Sequence, residues 1–511
     1  MPAHRGAAGM HPDTIALKNI SAYIEDTTIL QNLDLHLEPG TVHLLSGPSG
    51  CGKSTLLQAL ARLFPEDGSE KVEGSWHIPD HLRTGMVFQD PESQFCMMRV
   101  EEEMAFVLEN LGTPPERMEE EITGVLAETG LTPLRHRLIH ELSGGEKQKT
   151  ALASVLLLKP HLLLLDEALA NLDPAAQQTL AALVMNIQKK RKCTVVIVDH
   201  QPENWLSFID RVHLMSGEGT ITASGTPEET FIGSGAETCR EEGIYIPFPY
   251  RKKATASRRR RSGKEDPVLE MSALTPARGD ACRVQLSLRP GEITALAGSN
   301  GRGKTSLLQT AAGLQKPRSG EVFLKGKPLS SWSERELRRR TGYVFQQPEH
   351  QFIAESVKEE LAFGPRLSSA ADAEKKALEK MKQFRLAHRA DVHPFSLSGG
   401  QKRRLSTAVM LEADTEVLFL DEPTFGQDAA SIRSLTDLLH RLRLKGTAVL
   451  LVTHDMNLVH ELCDRVVVLL KEKHWIGEPE ALWADEALME KSGLLLPAGR
   501  MQKEEFACSS S

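Results

Sequence analysis

The chain has 511 residues, of which 40% are apolar and 25% charged, and a formal net charge of −8. That is the make-up of a globular protein large enough for several domains, and its acidic balance argues against wholesale nucleic-acid binding. Seven scattered cysteines with no C-x-x-C pair exclude a disulfide framework and a zinc ribbon, and no run approaches the ~18 apolar residues of a membrane span.

In chain order, residues 1–13 read as a loose end without the apolar core of a signal peptide. The first strong element is the apolar strand Val42–Ser46, followed by Gly47, Pro48, Ser49, Gly50, Cys51, Gly52, Lys53, Ser54 and Thr55 and then by a helix. This is G-x-x-x-x-G-K-[ST] in the strand–loop–helix setting the P-loop requires. Its glycines let successive N–H groups point at phosphates, and the helix N-terminus adds a dipole that favours anions. Lys53 would neutralise phosphate charge and Ser54 would hold Mg2+. The same positive field should lower the Cys51 thiol pKa, so reactivity towards maleimide, blocked by nucleotide, stands beside the alternative of an inert buried thiol.

Next comes Phe88-Gln89-Asp90-Pro91-Glu92-Ser93-Gln94-Phe95, whose Gln89 could orient water or complete a Mg2+ shell. A Glu/Leu-rich helical stretch over 96–137 reads as a helical subdomain inserted into an α/β core. Leu142-Ser143-Gly144-Gly145 opens a further helix and forms a second backbone nest for phosphate. The strand 162–166 ends in Asp166-Glu167, 113 positions after Lys53 (166 − 53). The first carboxylate suits Mg2+ and the second suits accepting a proton from the attacking water. His200 ends the following strand, 33 residues after Glu167 (200 − 167), within reach of a γ-phosphate.

Everything then recurs. Residues 15–40 match 266–291 without a gap at offset 251 (266 − 15), placing Tyr23 on Leu274. The second P-loop is Gly298, Ser299, Asn300, Gly301, Arg302, Gly303, Lys304, Thr305 and Ser306. Gln346 stands in Phe345-Gln346-Gln347-Pro348-Glu349-His350-Gln351-Phe352, and a helical insert spans 353–390. Ser398-Gly399-Gly400, Asp421-Glu422 and His454 complete the set. Two copies of one domain follow, expected at 14–232 and 266–495, with a linker over 233–265 and a loose tail over 496–511. In the linker, 251–264 carries eight basic residues and no acid. Such a block reads first as a solvated spacer, then as a contact for anionic lipid headgroups, then for nucleic acid.

These five motifs, in order and twice, resemble the ATP-binding cassette (ABC) ATPases with two fused nucleotide-binding domains. Phe-Gln-x-Pro-Glu-x-Gln-Phe in both halves resembles the energy-coupling factor (ECF) ATPases of vitamin and metal-ion importers. The resemblance covers nearly the whole chain. It implies α/β P-loop domains, each with an N-terminal antiparallel β region and an inserted helical subdomain, arranged head-to-tail with two ATP at the seam. It also implies Mg2+, a transmembrane coupling subunit, a substrate-binding membrane subunit, and a peripheral place on the cytoplasmic face of the membrane. Tyr23 would stack on adenine. Departures are Ala168 for the usual Pro, Asp199-His200-Gln201 for Thr-His-Asp, and Gln427 for Leu before Asp428, none of which removes a phosphate or Mg2+ group. A ribosome-acting twin-cassette translation factor and a twin-cassette sugar importer are the alternatives.

Overall fold

The computed structural model describes residues 13–24, 27–63, 70–170, 172, 174–247, 250, 266–278, 282–299, 301–367, 372–397, 399–411, 414–424, 429–494 and 496–497. The basic block 251–264, Asn300, Ser398 and Gly426 to Asp428 lie outside the described residues. The chain divides into two compact units, the first ending at 251 and the second holding nearly all of 252–511.

In the first unit six strands lie side by side in the order Thr84–Val87, Leu162–Asp166, Thr194–Val198, Val42–Ser46, Arg211–Met215, Ile221–Gly225. All neighbours run parallel except the last pair. Leu162–Asp166, Thr194–Val198 and Val42–Ser46 are buried along their whole length, as expected of a parallel sheet covered on both faces. Alternation divides their side chains between two cores. Leu163, Leu165, Val195 and Ile197 pack with the helices Gly144–Leu157 and Pro174–Arg191. Leu162, Leu164, Val196 and Val198 join the P-loop helix Lys53–Ala61 and an antiparallel sheet of Thr27–Leu37, Ile15–Ile24 and Glu70–His77. The helices Val100–Asn110 and Pro115–Thr129 form the insert.

The second unit repeats this: Thr341–Val344, Val417–Asp421, Ala448–Val452, Ile293–Ala297, Arg465–Leu469 and His474–Gly477 in that order, with an antiparallel sheet headed by Leu269–Thr275 and Val284–Leu288. Its insert is Val357–Leu367 and Ala373–Gln383. The expected α/β class, β regions and helical inserts are all present. In each sheet the P-loop strand lies between a strand that follows the acid pair and one that follows the histidine. Ligands of open α/β sheets bind at the carboxyl ends of strands at such a reversal of order.

Two expectations need correction. The linker does not begin at 233. Helix Ser234–Glu241 follows directly, and Cys239 and Ile244 are buried in the first unit's core beside Phe231. A short amphipathic segment met from sequence as a spacer thus covers apolar surface of the preceding domain.

The gapless match of the first strands also fails. Leu17 pairs with Leu35, and Met271 with Leu286. The first strand is therefore displaced by 254 positions between copies (271 − 17), whereas the second keeps 251 (286 − 35). Both first strands carry a bulge, at Asn19 and Ala273, each in the left-handed region. Opposite each stands a glycine, and a Cβ on Gly74 or Gly320 would lie 2.5 Å or 2.4 Å from the bulge carbonyl oxygen. The second hairpin is three residues shorter, so Leu274 is the counterpart of Ile20, both fully buried. Tyr23 corresponds to Ala277.

Candidate functional site

In both units the P-loop closes on a strand too near to admit a side chain. A Cβ on Gly47 would meet the Met215 carbonyl oxygen at 2.9 Å, and one on Gly298, at φ 133°, the Leu469 carbonyl oxygen at 2.6 Å. Lys53 and Lys304 begin the helices that follow, and both are buried. Lys53 Nζ donates to the carbonyls of Gly47 and Pro48 at 2.9 and 2.8 Å, and Lys304 Nζ to those of Gly298 and Ser299 at 2.8 and 3.1 Å. Arg302 Nε adds a bond to Ser299 Oγ.

The hydroxyl after each lysine meets the acid pair. Thr305 Oγ1 donates to Asp421 Oδ1 at 3.1 Å. In the first unit burial pushes the Asp166 carboxyl up, and a hydrogen bond with Ser54 opposes it. Asp421 is likewise raised by burial against its bond with Thr305.

The second carboxylate of each pair sits at a strained turn. Glu167 and Glu422 have φ of 48° and 45°, a region costly for residues with a Cβ and populated at functional sites. Each is held there by its N–H, which donates to the carbonyl of Val198 at 2.9 Å or Val452 at 3.0 Å. Glu167 accepts from Gln89 Nε2 at 3.0 Å, and its other oxygen lies 3.0 Å from His200 Nε2. Glu422 Oε1 lies 3.3 Å from His454 Nε2, while Oε2 accepts from the His454 N–H at 3.3 Å. Burial pushes Glu167 up, but His200 and Lys53 outweigh it and leave the carboxyl below the usual range. Burial dominates at Glu422 and raises it to about 7. The two sites share residues but not electrostatics.

The structure therefore gathers Lys53, Ser54, Gln89, Asp166, Glu167 and His200 at one end of the first sheet, and Lys304, Thr305, Asp421, Glu422 and His454 at the same end of the second. Gln346 is exposed beside its site. Tyr23 is half-buried in the antiparallel sheet, opposite Lys71. In the second unit Ala277 stands at its place, and the next residue, Arg278, donates its N–H to Ser306 Oγ at 3.0 Å. Cys51 is only 1% exposed, and burial pushes its thiol up despite Lys53. The expectation of a lowered thiol pKa is overturned, since losing water outweighs the loop's positive field.

Ser143 is spent locally: its N–H and hydroxyl both bond Glu146 Oε2, at 2.8 and 2.7 Å, which caps the helix Gly144–Leu157. Gly399 and Gly400 start the matching helix Gly399–Met410. Sequence reasoning missed how these helices hold the Gln loops. Gln148 Nε2 donates to the Gln89 carbonyl at 3.2 Å. At its counterpart Arg403, Nη1 donates to Phe345 at 2.5 Å, and Nη2 to Gln346 at 2.6 Å and to Glu422 at 3.4 Å, in each case to the carbonyl oxygen. Lys147 pairs with Glu92, and Lys402 with Glu349 at 3.0 Å. The second glutamine of each Gln loop folds it back on its strand: Gln94 Nε2 donates to the Met86 carbonyl and Gln351 Nε2 to that of Tyr343. Tyr343, also missed, bonds Asp421 Oδ2 at 3.3 Å.

The departure at Asp199 keeps its backbone role. Asp199 Oδ1 accepts from the Gln201 N–H at 2.9 Å, as Thr453 Oγ1 does from Asp455 at 3.0 Å. Its other oxygen accepts from Trp205 Nε1, and burial raises the carboxyl to about 6.

The sequence pattern of the family described as ABC transporter matches residues 30–170 and 282–425. The "Putative HMP/thiamine import ATP-binding protein YkoD" of Bacillus subtilis is 40% identical over 523 aligned positions, covering 95% of each chain. A "Putative ABC transporter ATP-binding protein" of Methanosarcina acetivorans is 32% identical, covering 92% of this chain and 86% of its own. Among solved structures, ribosome-bound archaeal ABCE1, seen together with Pelota, aligns with a TM-score of 0.63 over 93% of this chain and 80% of that one. At 21% identity it shows the fold alone. The chain belongs to the ABC transporter family, as an ATP-hydrolysing protein with two ATP-binding domains fused in one polypeptide.

Proposed function

We propose that this ATPase is the energy-coupling subunit of a membrane importer of the ECF type. It works as a peripheral protein on the cytoplasmic face, with a transmembrane coupling subunit and a substrate-binding membrane subunit. The observation that supports this most is the 40% identity, over 95% of both chains, to a protein named for HMP/thiamine import. Among the described residues no helix is long and apolar enough to cross a membrane, so transport calls for a membrane partner. The doubled Phe-Gln-x-Pro-Glu-x-Gln-Phe loop, tied to the signature helix through Glu92–Lys147 and Glu349–Lys402, supports the ECF type.

The pairs Ser54/Asp166 and Thr305/Asp421 are hard oxygen donors that suit Mg2+. Mg2+ bound with ATP supplies charge neutralisation on the phosphates. Lys53 and Lys304 hold the phosphates, and Glu167 and Glu422 accept the proton of the attacking water. His200 and His454 fix those carboxylates and contact the γ-phosphate. Each ATP is shared, with Ser398-Gly399-Gly400 closing the first site and Ser143-Gly144-Gly145 the second. The block 251–264 serves first as a solvated spacer, with anionic lipid headgroups as its second reading and no specific nucleic acid.

Affinity purification from detergent-solubilised membranes tests the importer reading. Capture of integral membrane subunits, and uptake of labelled HMP or thiamine lost in Glu167→Gln/Glu422→Gln, is the expected result. Recovery on ribosomes through a high-salt wash would overturn it.

A further inference from the structure

Within the second unit, the end of helix Ala373–Gln383, the helix Gly399–Met410 and the helix Ala429–Lys445 enclose a cavity of about 400 Å3. Four arginines line it, Arg385, Arg403, Arg404 and Arg441, with His440 beside them and one carboxylate, Asp437. The rest of its wall includes the apolar side chains of Phe384, Leu435 and Leu438, all buried. Arg403 is 5% exposed and, although both Nη atoms are bonded, its Nε has no partner among the described residues. No carboxylate of a described residue pairs with Arg385 or Arg441. Cations gathered around a half-enclosed space repel one another, and the buried Arg403 has also lost hydration, costs that a bound anion reduces.

The shared fold does not demand this arrangement. At the matching positions of the first unit, 255 earlier (421 − 166), the four arginines are Gly130, Gln148, Lys149 and Asn186, and His440 is Met185. One cation stands there in place of four, although Gly130 and Arg385 share the same left-handed backbone, at φ 70° and 56°. The halves share this backbone, whereas the cluster of charge stands in the second alone.

We propose that this cavity is a binding site for a small organic phosphate, a phosphate ester carried on an apolar ring. The phosphate lies among the guanidinium groups, whose planar forks match its oxygens. The ring lies on Phe384, Leu435 and Leu438. A volume near 400 Å3 is at the small end of ligand pockets, the size of one ring with its phosphate. Arg403 joins this cavity to the second ATP site, because the same guanidinium holds the carbonyls of Gln346 and Glu422. Occupancy therefore acts on the Gln loop and the catalytic turn of the second unit only.

Phenyl phosphate is a suitable probe, titrated calorimetrically into the full chain with both P-loops filled by Mg2+ and a non-hydrolysable ATP analogue. One saturable equivalent per chain is expected, with inorganic phosphate binding roughly tenfold more weakly for want of the buried ring. Arg385→Glu/Arg441→Glu changes two exposed residues; it should bind phenyl phosphate at least about tenfold more weakly and keep the basal ATPase rate and melting temperature. Binding that vanishes once the analogue fills the P-loops would overturn the site, as would native affinity in the double variant. Equal affinity for inorganic phosphate would overturn the organic ester as its ligand.

Discussion

Tyr23, half-buried opposite Lys71 in the first unit, is the aromatic side chain proposed to stack on adenine, and Ala277 stands at its place in the second unit. Base–aromatic stacking is worth about 1–3 kcal/mol, so Tyr23→Ala should weaken ATP at the first site roughly 5- to 150-fold. Ala277→Tyr, at the corresponding place, should strengthen the second site, whereas equal affinities in all three proteins would show that other residues hold the base. Leu274 belongs to a different account. It is fully buried in the core, and Leu274→Ala should cost about 2–5 kcal/mol of stability in denaturant melts, with little change in nucleotide affinity. Cys51 is the counterexample to reasoning from a local field. Its thiol, buried and raised, should react with maleimide only slowly in the folded protein, at the same rate with and without ATP. Rapid labelling that ATP blocks would restore the reactive thiol.

At the scale of elements, the two halves fill the same strands with different chemistry. His43 and His213, on neighbouring strands, are buried with Nδ1 and Nε2 at 3.0 Å; Thr41 and Ser224 take the outer nitrogens. Burial, with Arg211, His213 and His36 nearby, lowers His43 to about 3; burial and Arg211 lower His213 to about 4. The unfolded chain takes up these protons near the ordinary histidine value of about 6.5. The pair's contribution is therefore whole above about pH 6.5 and falls as pH drops towards the folded values, by up to about 1.4 kcal/mol per unit for each ring. The second unit has Thr294 and Val467 at these places, both buried. His43→Thr/His213→Val should flatten the loss of melting temperature between pH 7 and pH 5, and an unchanged slope would refute the pair as its source. Arg403 carries a comparable weight in the second unit. Arg403→Ala removes the donor from the carbonyls of Phe345, Gln346 and Glu422, at about 0.5–1.5 kcal/mol for each hydrogen bond lost. Loss of hydrolysis at the second site with ATP binding retained is the expected split. Gln148→Ala, which frees one carbonyl, should do less.

Over the whole molecule, the proposal that each ATP is shared between halves is tested by pairing substitutions, because residues that act as one unit are not additive. With Glu422→Gln blocking hydrolysis, Lys53→Ala plus Ser398→Arg should damage one site and leave one occluded ATP per chain. Lys53→Ala plus Ser143→Arg should damage both and leave almost none. The reverse pattern would assign each signature nest to its own domain.

The sequence by itself determined the duplication, the α/β class and the set of residues that gathers at one end of each sheet, because phosphate and Mg2+ chemistry demand particular residues at particular spacings on strand ends. The structure puts Lys53, Asp166, Glu167 and His200 together as those spacings imply. Register was another matter. The offset of 254 rather than 251 in the first strands was invisible, because a bulge glycine and a shorter hairpin leave the apolar alternation intact. Burial was equally out of reach: that Cys51 is raised, that Glu167 and Glu422 shift in opposite directions, and that Cys239, Ile244, Ile246 and Tyr250 join the first core. Each depends on how much water and which charges surround a side chain, and those neighbours come from elements far apart in the chain. The four arginines of the second unit make the same point. Spread over 385–441, they read singly as solvated surface, and only the packing of three helices makes them one cavity.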